Sequence, residues 1–478
     1  MRTPESVLLW FRRDLRLADN PALRAAAATG LPVVPVFIWD PKSQGQPAPG
    51  AASRWWLHQS LLRLDDSLRA CGSRLILRHG PTASSLAALA AETHAHRIFA
   101  NHVYDRAAQR LETRLIAELR AAGITLALFH TGLLFPPGEL RSTSGRAFQV
   151  FTPFWRACWN RRSELSAPAT APRTLPAPRR WPSSLPLGKL HLEPKIDWAA
   201  GIRAAWTPGE SAALGRLRSF IRNGLADYAT ERDRPDHDGV SRLSPYLHFG
   251  EISPLQIWDA IADQSGAEAF LRQLAWREFA HHLLIAYPRT ARESWNPSFR
   301  QFPWRRNRTR LTAWQRGRTG YPFVDAAMRQ LWTTGWMHNR ARMVVASFLV
   351  KHLLIPWQDG AAWFLDTLVD ADLANNTLGW QWVAGCGFDA APYFRIFNPL
   401  AQGEKFDPHG DYVRRWLPEL RNLPSKWIHS PWLAPPSELA AAGVRLGRNY
   451  PRPIVDHAHA RTAALAAFAA TKPPSTEP

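Results

Sequence analysis

Short apolar runs alternate with longer alanine- and leucine-rich stretches in the first quarter of the chain, and this alternation limits the possible folds more than any other feature. The short runs are typical of buried strands, and the longer stretches have helical periodicity. The predicted strands are Val7 to Phe11, Val33 to Ile38, Leu75 to Leu77, Arg97 to Ala100 and Thr125 to Phe129. The predicted helices are Ala52 to Ala70, Thr82 to Thr93 and Ala107 to Ala122. Strands that alternate with helices pair into a doubly wound parallel sheet, so we predict an α/β domain.

A ligand crevice is expected at the carboxyl ends of such strands. The first predicted strand is followed by the run FRRDLR from Phe11 to Arg16, and not by a GxGxxG motif. We therefore expect no conventional dinucleotide site in this domain.

Helical periodicity is nearly continuous from Glu210 onwards. The predicted helices there are Ala269 to Ala286, Pro322 to Thr333, Met337 to Leu354 and Ala361 to Leu368, with breaks at Gly335, Pro356 and Gly360. Proline and serine crowd the stretch from Ala167 to Pro208, a composition that blocks regular elements, above all between Pro172 and Pro194. We predict an α/β domain over residues 1–132, a connector over 133–207, an all-helical domain over 208–470 and a short polar tail over 471–478.

The charge balance favours a polyanionic partner. The chain has 59 Lys and Arg against 39 Asp and Glu, a net charge of +20. Nucleic acid is the expected partner, and a basic surface without a partner is the alternative. Since no long uncharged apolar run and no signal peptide are present, we expect a cytoplasmic protein without membrane contact. The three cysteines, Cys71, Cys158 and Cys386, are too widely spaced for a disulfide framework or a metal motif.

A polar segment from Asp370 to Trp382 interrupts the apolar helical pattern. Polar groups buried there need partners, and a ligand with many polar edges is one such partner. The alternative is a capped helix start, with Asp372 or Asn375 as the N-cap.

A second polar set lies upstream of this segment. Asn339, Arg342 and Met343 stand at i, i+3 and i+4, so they share one helical face. A buried Arg342 would need a carboxylate, and Asp370 is the natural candidate.

Several long motifs, in this order, resemble the photolyase and cryptochrome family over nearly the whole chain. They are Phe11 to Arg16, Gly335 to Arg340, Asp370 to Trp382, Pro392 to Pro399, Gln402 to Asp407 and Trp416 to Leu420. The resemblance implies FAD held in a U shape within the helical domain. It also implies an antenna chromophore associated with the α/β domain, with methenyltetrahydrofolate the commoner choice and 8-hydroxydeazaflavin the alternative.

The resemblance assigns flavin contacts position by position. The residues that contact the phosphates and ribityl chain would be Tyr228, Ser241, Leu243 and Ser244. The residues that line the flavin would be Arg277, Trp336, Asn339, Arg342, Asp370, Asp372 and Asn376. A serine-bearing turn that leads into a helix suits a pyrophosphate. Val240 departs from the family's frequent Thr, which removes one hydroxyl. Asn376 matches the position facing flavin N5, where a neutral amide adds no negative charge; plant cryptochromes carry Asp there, so Asn376 favours repair.

The implied activity is that of a light-driven deoxyribodipyrimidine photolyase. Photoexcited reduced FAD donates an electron to a cyclobutane pyrimidine dimer in ultraviolet-damaged DNA, the dimer splits, and the electron returns; no general acid or nucleophile is needed. The lesion reaches the flavin by base flipping, for which photolyases are a standard example. The matching positions are Trp276 and Trp382 as stacking walls, Arg232 and Arg340 as phosphate contacts, and Gln273, Asn339 and Met343 beside the lesion. The expected enzyme is a monomer without metal.

Lesion type depends on two observations that disagree. Gln273 stands where cyclobutane-dimer enzymes of the best-known class carry Glu, and where (6-4) photolyases and animal cryptochromes carry Gln. However, (6-4) repair uses two His at the positions of Asn339 and Met343, and His338 is one residue out of register. Too few cysteines are present for an iron-sulfur (6-4) enzyme. Cyclobutane dimers are the predicted substrate, and (6-4) repair is an alternative.

Two further hypotheses differ in function. A cryptochrome-type blue-light photoreceptor shares the flavin site but usually has an extended tail, and a basic DNA-binding protein without a cofactor leaves the buried polar residues unexplained.

Twenty-three tryptophans are also present, each of which is individually typical of a core residue. The family resemblance implies that three of them, Trp380, Trp357 and Trp304, form a path that carries electrons from the surface to the flavin.

Overall fold

The computed structural model describes residues 5–42, 48–390 and 394–471. They divide into two compact units. The first unit comprises 1–226, 241–288 and 369–371, and the second comprises 227–240, 289–368 and 372–478, within the described residues. These units are discontinuous in sequence, whereas the four predicted segments are continuous, and the segment bounds stay a prediction. Most of the predicted tail, residues 472–478, lies outside the described residues.

The first unit contains a five-stranded parallel sheet in the order β3-β2-β1-β4-β5. Its strands are β1 (Val7–Phe11), β2 (Val33–Trp39), β3 (Ile76–His79), β4 (Arg97–Asn101) and β5 (Thr125–Phe129). Every residue of β1 and β2 is buried. Both faces of a doubly wound sheet are covered, so its central strands are continuous apolar runs rather than alternating ones. The predicted α/β domain is confirmed.

The helices that accompany and follow the sheet are α1 (Pro21–Ala27), α2 (Ala51–Ala70), α3 (Thr82–Thr93), α4 (Arg106–Ala121), α5 (Phe151–Asn160), α6 (Ala200–Ala205) and α7 (Glu210–Asn223). Of these, α2, α3 and α4 agree with the three predicted helices to within one residue at each end, and no bounds were predicted for the others. Apolar residues of α3 and α4 pack with the strands into one core, including Leu86, Leu89 and Leu115. The prediction that proline excludes regular elements between residues 167 and 208 is wrong at α6. Five of the six positions there are non-glycine helix formers free of proline, and Ile202 is buried.

The remaining helices carry the predicted functional residues. They are α8 (Tyr228–Glu231), α9 (Ser244–Phe249), α10 (Pro254–Ile261), α11 (Ala267–Ala286), α12 (Arg308–Gln315), α13 (Pro322–Thr334), α14 (Asn339–Ser347), α15 (Trp357–Thr367), α16 (Leu373–Ala384), α17 (Pro399–Phe406), α18 (Asp411–Trp416), α19 (Pro436–Ala441) and α20 (His457–Ala469). The all-helical second half is confirmed. In the described part of the chain, no helix combines the length and apolar content needed to cross a bilayer.

Two predicted helix boundaries are wrong. The single helix predicted from Met337 to Leu354 is α14 followed by a buried π-helical turn, Phe348–His352. Gly360 does not break a helix but lies inside α15. A Cβ atom there would stand 2.1 Å from Cη2 of Trp380, so glycine at this position allows the indole to approach the helix backbone.

Candidate functional site

In the first unit, the serine-bearing turn leads into α9 as predicted. Leu243 is the N-cap residue of α9, and its backbone N–H lies 3.4 Å from the Ser241 hydroxyl oxygen that accepts from it. Arg242 has a φ of +52°, and Nε of Arg216 donates to the Ser241 carbonyl oxygen at 2.8 Å. The turn therefore places two serines around a helix N-terminus, where hydroxyl and amide donors suit an anionic group.

Asp370 lies against this turn. The Ser244 hydroxyl donates to Oδ2 of Asp370 at 2.6 Å, and Asp370 is buried. This contact joins two predicted flavin residues that are 126 positions apart in sequence. Asp370 is therefore a partner of the turn and not a helix cap. Its predicted pairing with Arg342 stays a prediction.

One face of α11 carries three further predicted residues. Gln273, Trp276 and Arg277 are partly exposed, whereas Leu274 and Ala275 between them are buried. The predicted i, i+3 and i+4 face is thus confirmed as the less buried side of this helix.

Aromatic packing holds the Trp276 side chain. Its ring stacks on Phe151 with centroids 3.8 Å apart and an interplanar angle of 9°. The Phe279 ring centroid lies 5.8 Å from that of Trp276, with the two ring planes at 74°. Because one indole face is covered and the side chain is not buried, Trp276 is a rigid, partly exposed platform.

Arg277 lies beside a buried carboxyl group that we did not predict. Nη1 of Arg277 donates to the Gly132 carbonyl oxygen at 2.7 Å and is 3.8 Å from Oε1 of Glu278. Burial raises the pKa of Glu278 to about 7, while the Arg277 charge opposes the rise. The only sequence signal for Glu278 was an acidic residue within the apolar stretch of α11.

In the second unit, α14 presents Asn339 and Met343 on one face. Nδ2 of Asn339 lies 3.9 Å from Sδ of Met343, which confirms the predicted juxtaposition. His338 is the N-cap of this helix, and its Nδ1 accepts from the Arg340 backbone N–H at 3.2 Å. His338 therefore has a structural role off this face. Nε of Arg342 donates to the Met337 carbonyl oxygen at 2.8 Å.

The predicted phosphate-contacting arginines differ in their surroundings. The Arg232 guanidinium lies over the Tyr228 ring at 5.7 Å, and burial raises the pKa of the Tyr228 hydroxyl to about 12. Arg340 is paired: its Nη2 lies 2.6 Å from Oδ2 of Asp233, and its guanidinium lies 4.3 Å over the Phe406 ring. The Asp233 carboxylate therefore offsets the positive charge of Arg340 more than any described carboxylate offsets that of Arg232.

Asp372 is the N-cap residue of helix α16, as the capping alternative predicted. Oδ1 of Asp372 accepts from the backbone N–H of Asn375 at 2.8 Å and from its side-chain amide at 2.7 Å. One turn into the helix, Nδ2 of Asn376 donates to the Ala361 carbonyl oxygen at 3.1 Å. Among the described residues, none hydrogen-bonds Oδ1 of Asn376. Its carbonyl oxygen and second N–H remain available to a ligand.

The indoles of α16 have different environments. Trp382 is partly exposed, and no ring among the described residues stacks on it. Trp380 is buried between Phe364 and Trp314, whose ring centroids lie 5.0 and 6.2 Å away. The buried Nε1 of Trp380 has no hydrogen-bond partner in the part of the chain that the structure describes. Trp336, also predicted to line the flavin, is buried near His338.

Of the other two tryptophans of the predicted electron path, Trp357 is buried and Trp304 is partly exposed. Trp357 is buried at the start of α15, three residues before Gly360, which contacts Trp380. Nε1 of Trp357 donates to the Ser294 hydroxyl at 3.2 Å, a partner that the sequence did not indicate. Trp304 is partly exposed and packs on Phe302 at 4.3 Å.

Each unit therefore holds part of the predicted site. The first unit brings Ser241, Leu243, Ser244 and Asp370 together and presents Gln273, Trp276 and Arg277 on one helix face. The second presents Asn339 with Met343, and Asn376 with open hydrogen-bonding groups. The polar groups of each unit suit a flavin nucleotide: the first unit offers hydroxyls and a guanidinium, and the second offers a neutral amide. Pro392 and Tyr393, which belong to one family motif, lie outside the described residues.

Comparison with known proteins agrees with these features. Residues 7–177 match the family described as DNA photolyase, and residues 270–470 match the FAD binding domain of DNA photolyase. The chain is 50% identical to the deoxyribodipyrimidine photo-lyase of Agrobacterium fabrum over 98% of both chains. It is 41% identical to cryptochrome-2 of Arabidopsis thaliana over 99% of this chain and 80% of that one. Its fold matches the crystal structure of a bacterial class III photolyase from Agrobacterium tumefaciens with a TM-score of 0.94 and 48% identity, over 98% of both chains.

Proposed function

The chain belongs to the photolyase and cryptochrome family, and we propose that it is a deoxyribodipyrimidine photolyase that repairs cyclobutane pyrimidine dimers in ultraviolet-damaged DNA. Full-length identity of 50% to a protein of that name supports the activity, compared with 41% to a plant cryptochrome. The net charge of +20 suits a DNA substrate.

The Asn376 amide is the observation that carries the proposal. Its Nδ2 is held by the Ala361 carbonyl oxygen at 3.1 Å, so the side chain has a defined orientation. A neutral amide can hydrogen-bond a reduced flavin ring without placing a negative charge beside it. A carboxylate at this position would oppose the anionic reduced flavin or donate a proton to it, as expected of a photoreceptor.

We assign FAD contacts to residues of the first unit that the family resemblance matches to the cofactor. When bound in its fully reduced form, FAD supplies a photoexcited electron to the dimer and takes it back after the ring has split. Ser241 would donate a hydroxyl hydrogen bond to the phosphates. The Ser244 hydroxyl donates its proton to Asp370, so its oxygen would accept a hydrogen bond from a ribityl hydroxyl. Arg277 would contribute positive charge close to the cofactor. These residues hold and orient the cofactor.

We assign lesion binding to partly exposed aromatic and basic residues. Trp276, supported from behind by Phe151, offers a stacking face to a flipped dimer, and Trp382 offers another. Arg232 would contact a DNA phosphate. Arg340 could do so only by sharing its guanidinium with Asp233. Stacking on aromatic side chains contributes about 1–3 kcal/mol per base, so the two indoles would provide most of the lesion selectivity.

The proposal predicts bound flavin and light-dependent loss of dimers. The purified protein should show flavin absorption, and blue or near-ultraviolet illumination with dimer-containing oligonucleotides should restore unmodified pyrimidines; a dark sample is the control. Flavin without dimer loss would contradict repair and favour a cryptochrome-type photoreceptor. Loss of (6-4) products in place of cyclobutane dimers would contradict the substrate assignment.

Gln273→Glu is expected to leave dimer repair within about twofold of the wild type. Gln273 is partly exposed on the face of α11 that bears Trp276, and either side chain can accept a hydrogen bond from a pyrimidine there. The measurement is the repair rate per absorbed photon, with Gln264→Glu, on the loop before α11, as a charge-matched control. A gain of tenfold or more in the Gln273 variant alone would show that glutamine is poorly suited to cyclobutane dimers and would favour a (6-4) substrate.

We further propose methenyltetrahydrofolate as the antenna chromophore, with 8-hydroxydeazaflavin as the alternative, and a monomer that works in the cytoplasm. The family's commoner use of folate supports the first assignment. Absorption spectra of the released chromophores distinguish the two antennas, and sedimentation measures the oligomeric state.

A further inference from the structure

A pocket of about 850 Å³ in the second unit lies apart from all the residues assigned to FAD or the lesion. It is formed by two stretches, residues 292–311 and 355–359. Its charged lining residues are Arg292, Glu293, Arg300, Arg306, Arg308 and Asp359. We call it the arginine pocket. Its volume lies within the range of about 300–1,000 Å³ that is usual for small-ligand sites.

The arginine pocket has an excess of positive charge, since four arginines line it against two carboxylates. Arg300 lies 3.3 Å from Glu293, and both side chains are more than half exposed. Arg292, Arg306 and Arg308 form no ion pair with any residue that the structure describes. Burial raises the pKa of Asp359, while Arg306 opposes the rise. Several unpaired guanidiniums in a concave surface attract small anions.

The arginine pocket also reaches the outer part of the tryptophan path. Trp304 lines it directly. Ser294 lines it as well, and the Ser294 hydroxyl accepts from Nε1 of Trp357 at 3.2 Å. An anion held by Arg306 and Arg308 would therefore lie beside the tryptophan that is most exposed of the three. Local sequence connects these groups, since Trp304 is separated from Arg306 by one residue.

We propose that the arginine pocket binds a small organic anion that donates one electron, of the enediolate class, and delivers this electron to Trp304. The inference rests on the proposed function and on the tryptophan path predicted from the family resemblance, in which Trp304 is the outermost member. When Trp304 has passed an electron inward, its indole is oxidised by one electron. The bound enediolate gives up one electron and restores the indole; if the indole has lost its Nε1 proton to water, the enediol hydroxyl supplies that proton. The donor leaves as its own one-electron-oxidised radical.

The test uses the flavin-loaded protein with ascorbate as the enediolate probe. After a laser flash, the decay rate of the tryptophan radical absorption should rise with ascorbate concentration and then saturate. Dithiothreitol, largely uncharged at pH 7, should give a linear dependence. Arg306→Gln and Arg308→Gln should each raise the half-saturating ascorbate concentration about fivefold. Arg305→Gln is the matched control, because Arg305 is also exposed but does not line the arginine pocket.

A calorimetric titration with ascorbate in the dark measures binding independently of electron transfer. Binding that is weakened in the Arg306 variant but not in the Arg305 variant supports the site. Three outcomes would overturn the site. They are the absence of ascorbate binding in the dark, equal effects of the Arg306 and Arg305 variants, and displacement of ascorbate by undamaged duplex DNA but not by sulfate. If ascorbate binds in the dark but the decay rate of the tryptophan radical does not change with ascorbate concentration, the donor role is overturned. If both expected results are obtained but the protein shows no light-driven dimer repair, the proposed function is contradicted and the donor site is not.

Discussion

Asp325→Ala is expected to lower the free energy of unfolding by about 3–5 kcal/mol. The Asp325 carboxylate is fully buried and accepts four hydrogen bonds: from the Thr319 backbone N–H and hydroxyl, both at 2.7 Å, from the Gly320 N–H at 2.9 Å and from the Tyr450 hydroxyl at 3.0 Å. Truncation leaves these donors buried without a partner, and an unsatisfied buried donor costs more than a lost surface contact. Urea unfolding followed by helical circular dichroism at pH 8 measures the effect. Burial raises the pKa of Asp325 to about 6, so the group is ionised at that pH.

Two variants establish the scale of this effect. Tyr450→Phe removes one of the four donors and should cost about 1 kcal/mol. Glu404→Ala removes an exposed carboxylate from α17 and should change stability by less than about 0.5 kcal/mol. If Asp325→Ala cost no more than Tyr450→Phe, the four bonds would not act as one buried network.

Trp276→Ala should weaken the preference for dimer-containing over undamaged DNA by about 1–3 kcal/mol, which is the usual loss when one stacked base loses its aromatic partner. The Trp276 ring is held rigidly by its stack on Phe151 at 3.8 Å, so little ordering cost is expected when a lesion binds. Binding to undamaged DNA depends mainly on phosphate contacts and should change little. Competition titrations in the dark at fixed salt with both DNAs measure the preference.

A second tryptophan provides the control for this variant. Trp198 lies in the same unit and is 44% exposed, but it has no assigned role. Trp198→Ala should leave the preference unchanged. Equal losses in both variants would indicate a general effect of removing an indole, and an unchanged preference in Trp276→Ala would exclude this residue from lesion binding. An unfolding measurement on each variant separates lost recognition from lost packing.

Long periodic segments were predicted well because local chemistry decides them. Strands β1 and β2 are buried on both faces, so continuous apolar runs identified them without any knowledge of the neighbouring strands. The face of α11 that bears Gln273, Trp276 and Arg277 followed from helical spacing alone. The Asp372 N-cap followed from the preference of aspartate for that position.

The wrong predictions depended on contacts between distant residues. Gly360 was interpreted as a helix break, since glycine is a weak helix former, but Trp380 packs so closely that a larger residue would clash. The helix predicted through Leu354 changes to a π-helical turn after Ser347, and the hydrophobic pattern of both forms is similar over so few residues.

The sequence by itself determined the family, the α/β and helical parts, and the identity of the residues matched to flavin and lesion, because each of these is recorded in ordered motifs or in periodic patterns. Tertiary structure alone decided which of those residues have partners. It joined Ser244 to Asp370, paired Arg340 with Asp233, left Oδ1 of Asn376 without a hydrogen bond from any described residue, and placed an excess of arginines beside Trp304. The physical reason is that hydrogen bonds and charges act over a few ångströms in space, whereas sequence patterns record only neighbours along the chain.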